Sequence, residues 1–148
     1  MVKCDCCFEY DRYHYGVTGS YPEVKKHHTA LMKSGRYGTM WKDLLNGDAE
    51  LHVNAELRLY QCPCCHQIYD EFCLDLYKSI HEDDSYYVPT DDEIVHQYKH
   101  ICKNCMKKMT YIPISQKHCN IGIDNPEELV ICPKCGGVAV ARFCGFTD

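Results

Sequence analysis

Two short helices are predicted in the first third of the chain, the first from its start and stop signals and the second from its helically spaced apolar positions. Residues 20–35 begin at Ser20, carry Glu23 three positions later as the second half of a capping box, and end at Gly35. A second helix is predicted over residues 39–47, with Thr39 as its cap and Gly47 at its end. Its apolar face is formed by Met40, Trp41, Leu44 and Leu45.

Alternating apolar and polar positions predict short strands in the rest of the chain. Residues 51–59 and 68–76 alternate in this way on either side of the cysteine motif that begins at Cys62. Residues 93–102 fit a strand that runs into Cys102, although Thr90 to Glu93 can also cap a short helix. The final hairpin is predicted around the last motif, over residues 128–143.

The motif Cys-x-x-Cys occurs four times, which is the feature of the sequence most indicative of chemistry. Two intervening residues let the backbone turn tightly with both sulfurs on one side of a metal ion, about 2.3 Å from zinc. Four such turns, called knuckles below, supply the ligands of two tetrahedral zinc ions. The eight candidate ligands are Cys4, Cys7, Cys62, Cys65, Cys102, Cys105, Cys132 and Cys135.

An internal repeat suggests how the four knuckles pair. The segment Cys62–Cys73, CPCCHQIYDEFC, aligns with the segment Cys132–Cys144, CPKCGGVAVARFC, with one gap. A duplicated unit of first and second knuckle predicts sequential pairing, in which Cys4, Cys7, Cys62 and Cys65 form site one and the remaining four form site two. Nested pairing is the alternative, because the entropy of loop closure changes by only about 0.6 kcal/mol per doubling of loop length.

The sequence Cys-Pro-Lys-Cys-Gly-Gly at Cys132 resembles the knuckle of zinc ribbons, which is also found in rubredoxin. The resemblance implies two turns at the ends of short hairpins that clamp one metal ion. The other knuckles depart from it, since Phe8, His66 and Met106 stand where the fourth has Gly136. The layout is also similar to uncharacterised small bacterial proteins with paired ribbons, a likeness that implies no function.

Five cysteines remain outside the four pairs. Cys6 and Cys64 lie within knuckles, where their side chains are expected to point away from the metal as exposed spare thiols; the rival interpretation is a second metal or an oxidative cross-link. The others are expected to be small buried hydrophobes: Cys73, Cys119 and Cys144. Of the nine histidines, His66 is the one placed to replace a ligand or to bond a ligating sulfur.

Composition and charge bear on compartment and partners. The chain has 148 residues, 13 of them cysteine, and a formal charge of −5, which becomes −5 − 8 + 4 = −9 if eight thiolates hold two zinc ions. This balance gives no overall attraction for a phosphate backbone. The first residues contain no apolar signal segment and no run of 18 apolar residues is present, so we expect a cytoplasmic protein without a membrane span.

Together these patterns predict a small, metal-stapled α+β fold made of two tandem zinc ribbons of short antiparallel hairpins. Residues 1–81 form a ribbon with a two-helix insert, 82–93 an acidic connector, and 94–148 the second ribbon. All-cysteine sites leave no open position for water, and we find no other catalytic constellation, so catalysis is not expected.

The expected function is that of a non-enzymatic zinc protein that binds an unknown protein partner as an interaction or adaptor module. Two basic stretches keep nucleic-acid binding or a role in transcription as an alternative: Lys25, Lys26, Lys33, Arg36 and Lys42, and Lys99, Lys103, Lys107, Lys108 and Lys117. A third class is thiol redox chemistry or rubredoxin-like electron transfer with iron.

Overall fold

The structure is a computed structural model that describes residues 2–4, 7, 10–11, 13, 20–80, 87–113 and 127–142. Within these residues lie two α-helices, α1 (Tyr21–Lys33) and α2 (Thr39–Gly47). The strands are β1 (Val2–Lys3), β2 (Tyr10–Asp11), β3 (His52–Asn54), β4 (Leu57–Gln61), β5 (Ile68–Phe72), β6 (Asp75–Tyr77), β7 (Ile94–His96), β8 (Thr110–Ile112), β9 (Glu127–Ile131) and β10 (Val138–Arg142). None of the described helices is long and apolar enough to cross a membrane.

The strands form three small sheets, in the orders β2-β1-β10-β9, β3-β6-β7 and β5-β4-β8. The registered pairs are all antiparallel, and several of them join strands that are distant in the sequence. The mixed α+β class predicted from the sequence is therefore confirmed.

The chain divides into two compact units, each assembled from segments that are distant in sequence. One, here the ribbon unit, comprises residues 1–16, 57–71 and 99–147; the other, here the helical unit, comprises 17–56, 72–98 and 148. The sequence instead suggested three consecutive segments, 1–81, 82–93 and 94–148.

The helical unit buries one face of each helix together with the sheet β3-β6-β7. Met32 of α1, together with Trp41 and Leu45 of α2, belongs to a core cluster that also contains Val53 and Leu76. Val53 and Leu76 are direct partners in the β3–β6 register, and both are completely buried. Of the apolar face predicted for the second helix, Trp41, Leu44 and Leu45 pack in this core, whereas Met40 is exposed.

The helix ends differ in part from those predicted. Gly35 follows α1 with φ of 90°, and the N–H of Arg36 donates to the carbonyl of Leu31 at 3.1 Å, which satisfies a carbonyl of the last turn. Ser20 stands at the N-cap position of α1 as predicted, but its side chain makes no capping hydrogen bond. The predicted cap of α2 was wrong, because Gly38 holds that position and Thr39 is the first residue of the helix.

A capping box occurs at the start of the segment for which the sequence favoured a strand. Thr90 and Glu93 close one around a single 3₁₀ turn, Asp91–Glu93, before β7 begins. β7 is only three residues long and pairs with β6, so it does not run into the knuckle at Cys102. The only strand-like pairing described there is an isolated bridge between Ile101 and Lys108.

The ribbon unit contains the other two sheets, which share one core. Val2 and Ala141 of the four-stranded sheet are buried in the same cluster as Leu59 and Ile112 of the three-stranded sheet. β1 pairs with β10, and β4 pairs with β8. The first strand of the chain is thus joined to its last described strand, and this pairing determines how the knuckles meet.

Candidate metal centres

Eight cysteines are brought together in two groups of four, each of which could hold one metal ion. One group is Cys4, Cys7, Cys132 and Cys135; the other is Cys62, Cys65, Cys102 and Cys105. All eight predicted ligand positions fall within these two groups, but the predicted sequential pairing was wrong. The knuckles are nested, so that the second and third form one group and the first and fourth form the other.

Strand pairing explains the nested arrangement. β1 leads into Cys4 and β10 follows Cys135, and the antiparallel β1–β10 ladder carries their two knuckles to the same place. β4 leads into Cys62 and pairs with β8, which begins five residues after Cys105. The faint repeat between the second and fourth knuckles exists in the sequence, but it does not indicate which knuckles share a metal site.

The distances between sulfurs fit tetrahedral ligation. The Sγ atoms are 3.5 Å apart for Cys4 and Cys135, 3.7 Å for Cys7 and Cys132, and 3.7 Å for Cys65 and Cys102. Four ligands at about 2.3 Å from a zinc ion are separated by about 3.8 Å along each tetrahedron edge. A disulfide needs about 2.05 Å, so these contacts are those of a metal cage rather than of oxidised pairs.

Three knuckles share one hydrogen-bonding pattern. At Cys62 the N–H donates to the carbonyl of Gln67 at 3.0 Å, and the carbonyl accepts from the N–H of His66 at 3.0 Å. The same two bonds recur at Cys102 and Cys132. The N–H of each cysteine donates to the carbonyl five residues ahead, and its carbonyl accepts from the N–H four residues ahead. The corresponding residues of the first knuckle lie outside the described part of the chain.

The residue after the second cysteine of each of these knuckles has left-handed backbone conformation. The φ angles are 63° at His66, 56° at Met106 and 73° at Gly136. Glycine adopts this region without steric cost, whereas a residue with a Cβ does not. The departures from the ribbon pattern at His66 and Met106 therefore change the residue but not the conformation of the turn.

Backbone N–H groups inside the knuckles point at the first sulfur of each pair. The N–H groups of Cys64 and Cys65 donate to the Sγ of Cys62 at 3.4 and 3.5 Å. The backbone N–H of Cys105, followed by that of Asn104, lowers the pKa of the Cys102 thiol to about 6. These donors favour the thiolate, which is the form that binds a metal.

The second sulfur of the same group behaves differently. The pKa of the Cys105 thiol is raised, first by its contact with the thiol of Cys65 and then by burial. Four crowded thiols resist simultaneous ionisation unless a cation compensates their charge. This chemistry is what a divalent metal supplies.

Aromatic side chains enclose the group around Cys62. Tyr60 and Met109 are buried in one cluster with Cys62 and Cys102, and the hydroxyl of Tyr69 lies 3.8 Å from the Sγ of Cys102. The hydrogen bond to Cys102, with burial, raises the pKa of Tyr69 to about 12. The hydroxyl therefore stays protonated and can donate to the sulfur.

His100 forms a second support for this group. Its ring stacks on Tyr60 with centroids 4.1 Å apart, and its Nδ1 lies 3.8 Å from a carboxylate oxygen of Glu71. The nearby ring of His100 lowers the pKa of Glu71. His100 was not singled out from the sequence, where its only signal was its position two residues before the candidate ligand Cys102.

Gln61 joins the second and fourth knuckles. Its Nε2 donates to the carbonyl of Ile131 at 2.6 Å and to that of His66 at 2.9 Å, while its Oε1 accepts from the N–H of Ile131 at 3.2 Å. Gln61 and Ile131 each directly precede the first cysteine of a knuckle. One side chain thus couples the two metal groups, and nothing in the sequence indicated it.

The remaining candidates lie outside both groups. Cys64 is exposed, as predicted, and Cys73 is buried with its thiol donating to the carbonyl of Asn54 at 3.1 Å. His66 contributes no ligand atom to either group. The expectations for Cys6, Cys119 and Cys144 concern positions outside the described residues.

Comparison of the chain with protein-family models, with curated proteins and with solved structures finds no match.

Proposed function

We propose that this chain is a non-enzymatic zinc protein in which two Cys4 zinc ions hold a nested double ribbon that binds a protein partner. The observation that supports the zinc assignment is the pair of four-sulfur groups. The distances between their sulfurs match the edge of a tetrahedron of ligands around one zinc ion. Zinc is favoured because it prefers four-coordinate tetrahedral thiolate sites and has no redox chemistry. Two ions per chain are expected.

A structural role fits these sites better than a catalytic one. A catalytic zinc keeps one position for water or substrate, whereas four cysteines per group can fill every position. The sites also lie where they join sequence-distant strands, which suits a stapling role. Thiols must stay reduced to bind zinc, so a cytoplasmic location belongs to the proposal.

The outer face of the hairpin β9–β10 supports a protein partner. Leu129 and Ile131 lie on one face of β9, and Val138 is the direct partner of Ile131, so all three share that face. Leu129 is 73% and Val138 65% exposed, while the opposite face buries Val130 and Ala139 in the core. A contiguous apolar face of this kind is typical of interaction surfaces.

Nucleic-acid binding is the second candidate, and the third knuckle favours it. Lys103, Lys107 and Lys108 are exposed around the turn that contains Cys102 and Cys105. Zinc ribbons with exposed lysines can contact phosphates, although the net charge of −5 opposes a strong interaction.

Metal analysis tests the zinc assignment. Elemental analysis of the purified protein should give two zinc ions per chain. The protein solution should be colourless, because an iron–thiolate site would be coloured. Structural zinc contributes on the order of 10 kcal/mol or more to folding, so a strong chelator should unfold the ribbon unit. A chain that unfolds cooperatively with no metal bound would exclude this function.

Capture experiments separate the two candidate roles. The double variant Leu129→Lys/Val138→Lys should lose a co-purifying protein that the wild type retains, whereas the matched variant Ile80→Lys/Val95→Lys should keep it. If binding of a labelled single-stranded DNA is instead lost with Lys107→Ala/Lys108→Ala and falls steeply with salt, the nucleic-acid role is correct.

A further inference from the structure

A groove in the helical unit has a composition that the zinc sites do not explain. It has a volume of about 420 Å³ and lies between α1 and the first residue of β3. Its lining residues are Pro22, Lys25, Lys26, Thr29, Ala30, Lys33 and His52. Except for His52, they recur every three or four residues and so form one stripe along α1.

The lining is strongly cationic. Three ammonium groups border the groove, and no acidic side chain lines it. Lys26 and Lys33 are exposed, and within the part of the chain that the structure describes neither belongs to an ion pair. The like charges of Lys26 and Lys33 along one groove raise the local concentration of anions.

Lys25 is held in place at one end of the stripe. Its Nζ donates to the hydroxyl of Tyr77 and lies 4.9 Å from the centre of the Tyr77 ring and 5.8 Å from that of Tyr21. Both tyrosines are almost completely buried, so this ammonium has a fixed position. A pre-ordered charge loses less entropy when it binds an anion.

The groove also offers an apolar surface. Pro22 and Ala30 present only carbon atoms from their side chains, and the hydroxyl proton of Thr29 is already donated to the carbonyl of Lys25 at 2.7 Å. The ammonium groups of Lys26 and Lys33 are therefore the exposed side-chain donors that this stripe offers a ligand. Lys26 and Lys33 are seven residues apart, which is about 10 Å along a helix.

We propose that this groove binds a small organic phosphate, a ligand with a phosphate group and an apolar or aromatic body. Lysine is a common phosphate ligand, which it contacts as a point charge, and the volume falls within the range of about 300–1,000 Å³ of small-molecule pockets. The apolar body lies along Pro22 and Ala30. The proposal is independent of the zinc sites and of the partner surface on β9–β10.

Calorimetric titration with phenyl phosphate tests the proposal on the full zinc-loaded chain. Phenyl phosphate should bind at least about tenfold more tightly than inorganic phosphate, because the ring buries apolar surface. The double variant Lys26→Ala/Lys33→Ala should weaken that binding by about tenfold or more, the loss of one or two charge-assisted contacts.

The matched control is Arg36→Ala/Lys42→Ala, which removes the same charge from exposed residues of the same unit that do not line the groove. It should change the affinity by less than about twofold, since exposed charges that do not contact the ligand are weakened by solvent and salt screening. Amide chemical shifts of α1 and His52 should move during the titration, and circular dichroism should confirm that both variants keep their helices.

Four results would overturn the proposal. These are absence of saturable binding, unchanged affinity in Lys26→Ala/Lys33→Ala, and equal weakening in both double variants, which would indicate only a general positive field. The fourth is tighter binding of nucleic acid: a ten-nucleotide single-stranded DNA binds through Lys26 and Lys33 at least tenfold more tightly than phenyl phosphate, and its affinity falls steeply with salt. That result would make the groove a nucleic-acid surface.

Discussion

The sulfur of Cys4 lies 3.5 Å from the sulfur of Cys135, although 131 residues separate the two cysteines in the sequence. The metal group that contains them therefore closes a loop of nearly the whole chain. The cysteines of the second group and the segments 17–56 and 72–98 of the helical unit lie between Cys7 and Cys132 in the sequence. A metal ion bound at Cys4 and Cys135 would hold β1 on β10, so we expect its removal to release β1.

The left-handed turn at Gly136 gives a test of the knuckle conformation. Gly136→Ala places a Cβ at φ of 73°, where an added side chain meets no atom within 4 Å. The cost is then conformational, about 1–2 kcal/mol. Because folding and zinc binding are one reaction in such sites, we expect zinc affinity at this group to fall about 5- to 30-fold in a chelator competition.

Two further variants check that interpretation. Met106→Gly relieves the same conformation at φ of 56°, in a side chain that is 74% exposed, so it should raise stability by less than about 1 kcal/mol after the added entropy of glycine is counted. Gly47→Ala, at the end of α2, should leave zinc affinity unchanged. A loss of affinity in Gly47→Ala equal to that in Gly136→Ala would rule out a knuckle-specific effect.

Gln61 should couple the two metal groups. Gln61→Ala removes three hydrogen bonds that reach His66 and Ile131, and since each is worth roughly 0.5–1.5 kcal/mol and the side chain is half-buried, we expect a loss of about 1–2 kcal/mol. Urea unfolding of the zinc-loaded protein measures it, and zinc should also leave faster.

Gln67→Ala is the matched control, because Gln67 is an exposed side chain in the same knuckle and its described contribution to the turn is its backbone carbonyl. Its unfolding free energy should stay within about 0.5 kcal/mol of the wild type. Indistinguishable effects of the two substitutions would show that the bridge to Ile131 contributes nothing.

Cys64 should be dispensable for zinc. Its side chain is exposed and lies outside the group of Cys62, Cys65, Cys102 and Cys105, although its backbone N–H donates to Cys62. Cys64→Ser keeps that N–H, so zinc content should remain two per chain, whereas Cys62→Ser should weaken one site. Native mass spectrometry counts the ions, and loss of one zinc in Cys64→Ser would mean that it is a ligand.

The sequence predicts the ligands and most elements of this fold because their signals are local. The Cys-x-x-Cys spacing, the apolar stripe around Trp41 and Leu45, and the alternation of β9 and β10 each depend on neighbours a few residues away. Knuckle geometry is local for the same reason, and it holds even where His66 and Met106 replace glycine.

The pairing of the knuckles is a long-range property that local patterns do not determine. It depends on β1 choosing β10 and β4 choosing β8, and loop-closure entropy barely distinguishes the nested from the sequential order. The Gln61–Ile131 bridge and the stacking of His100 on Tyr60 depend on the same choice. The internal repeat was the only sequence signal for pairing, and it favoured the wrong order.

The nested pairing is tested most directly by counting zinc in two double variants, in the presence of a chelator that strips three-cysteine sites but leaves four-cysteine sites intact. Cys4→Ser/Cys135→Ser places both changes in one group, so native mass spectrometry should find one zinc per chain. Cys4→Ser/Cys65→Ser damages both groups, so none should remain. The reverse result, no zinc in the first variant and one in the second, would contradict the nested arrangement and restore the sequential one.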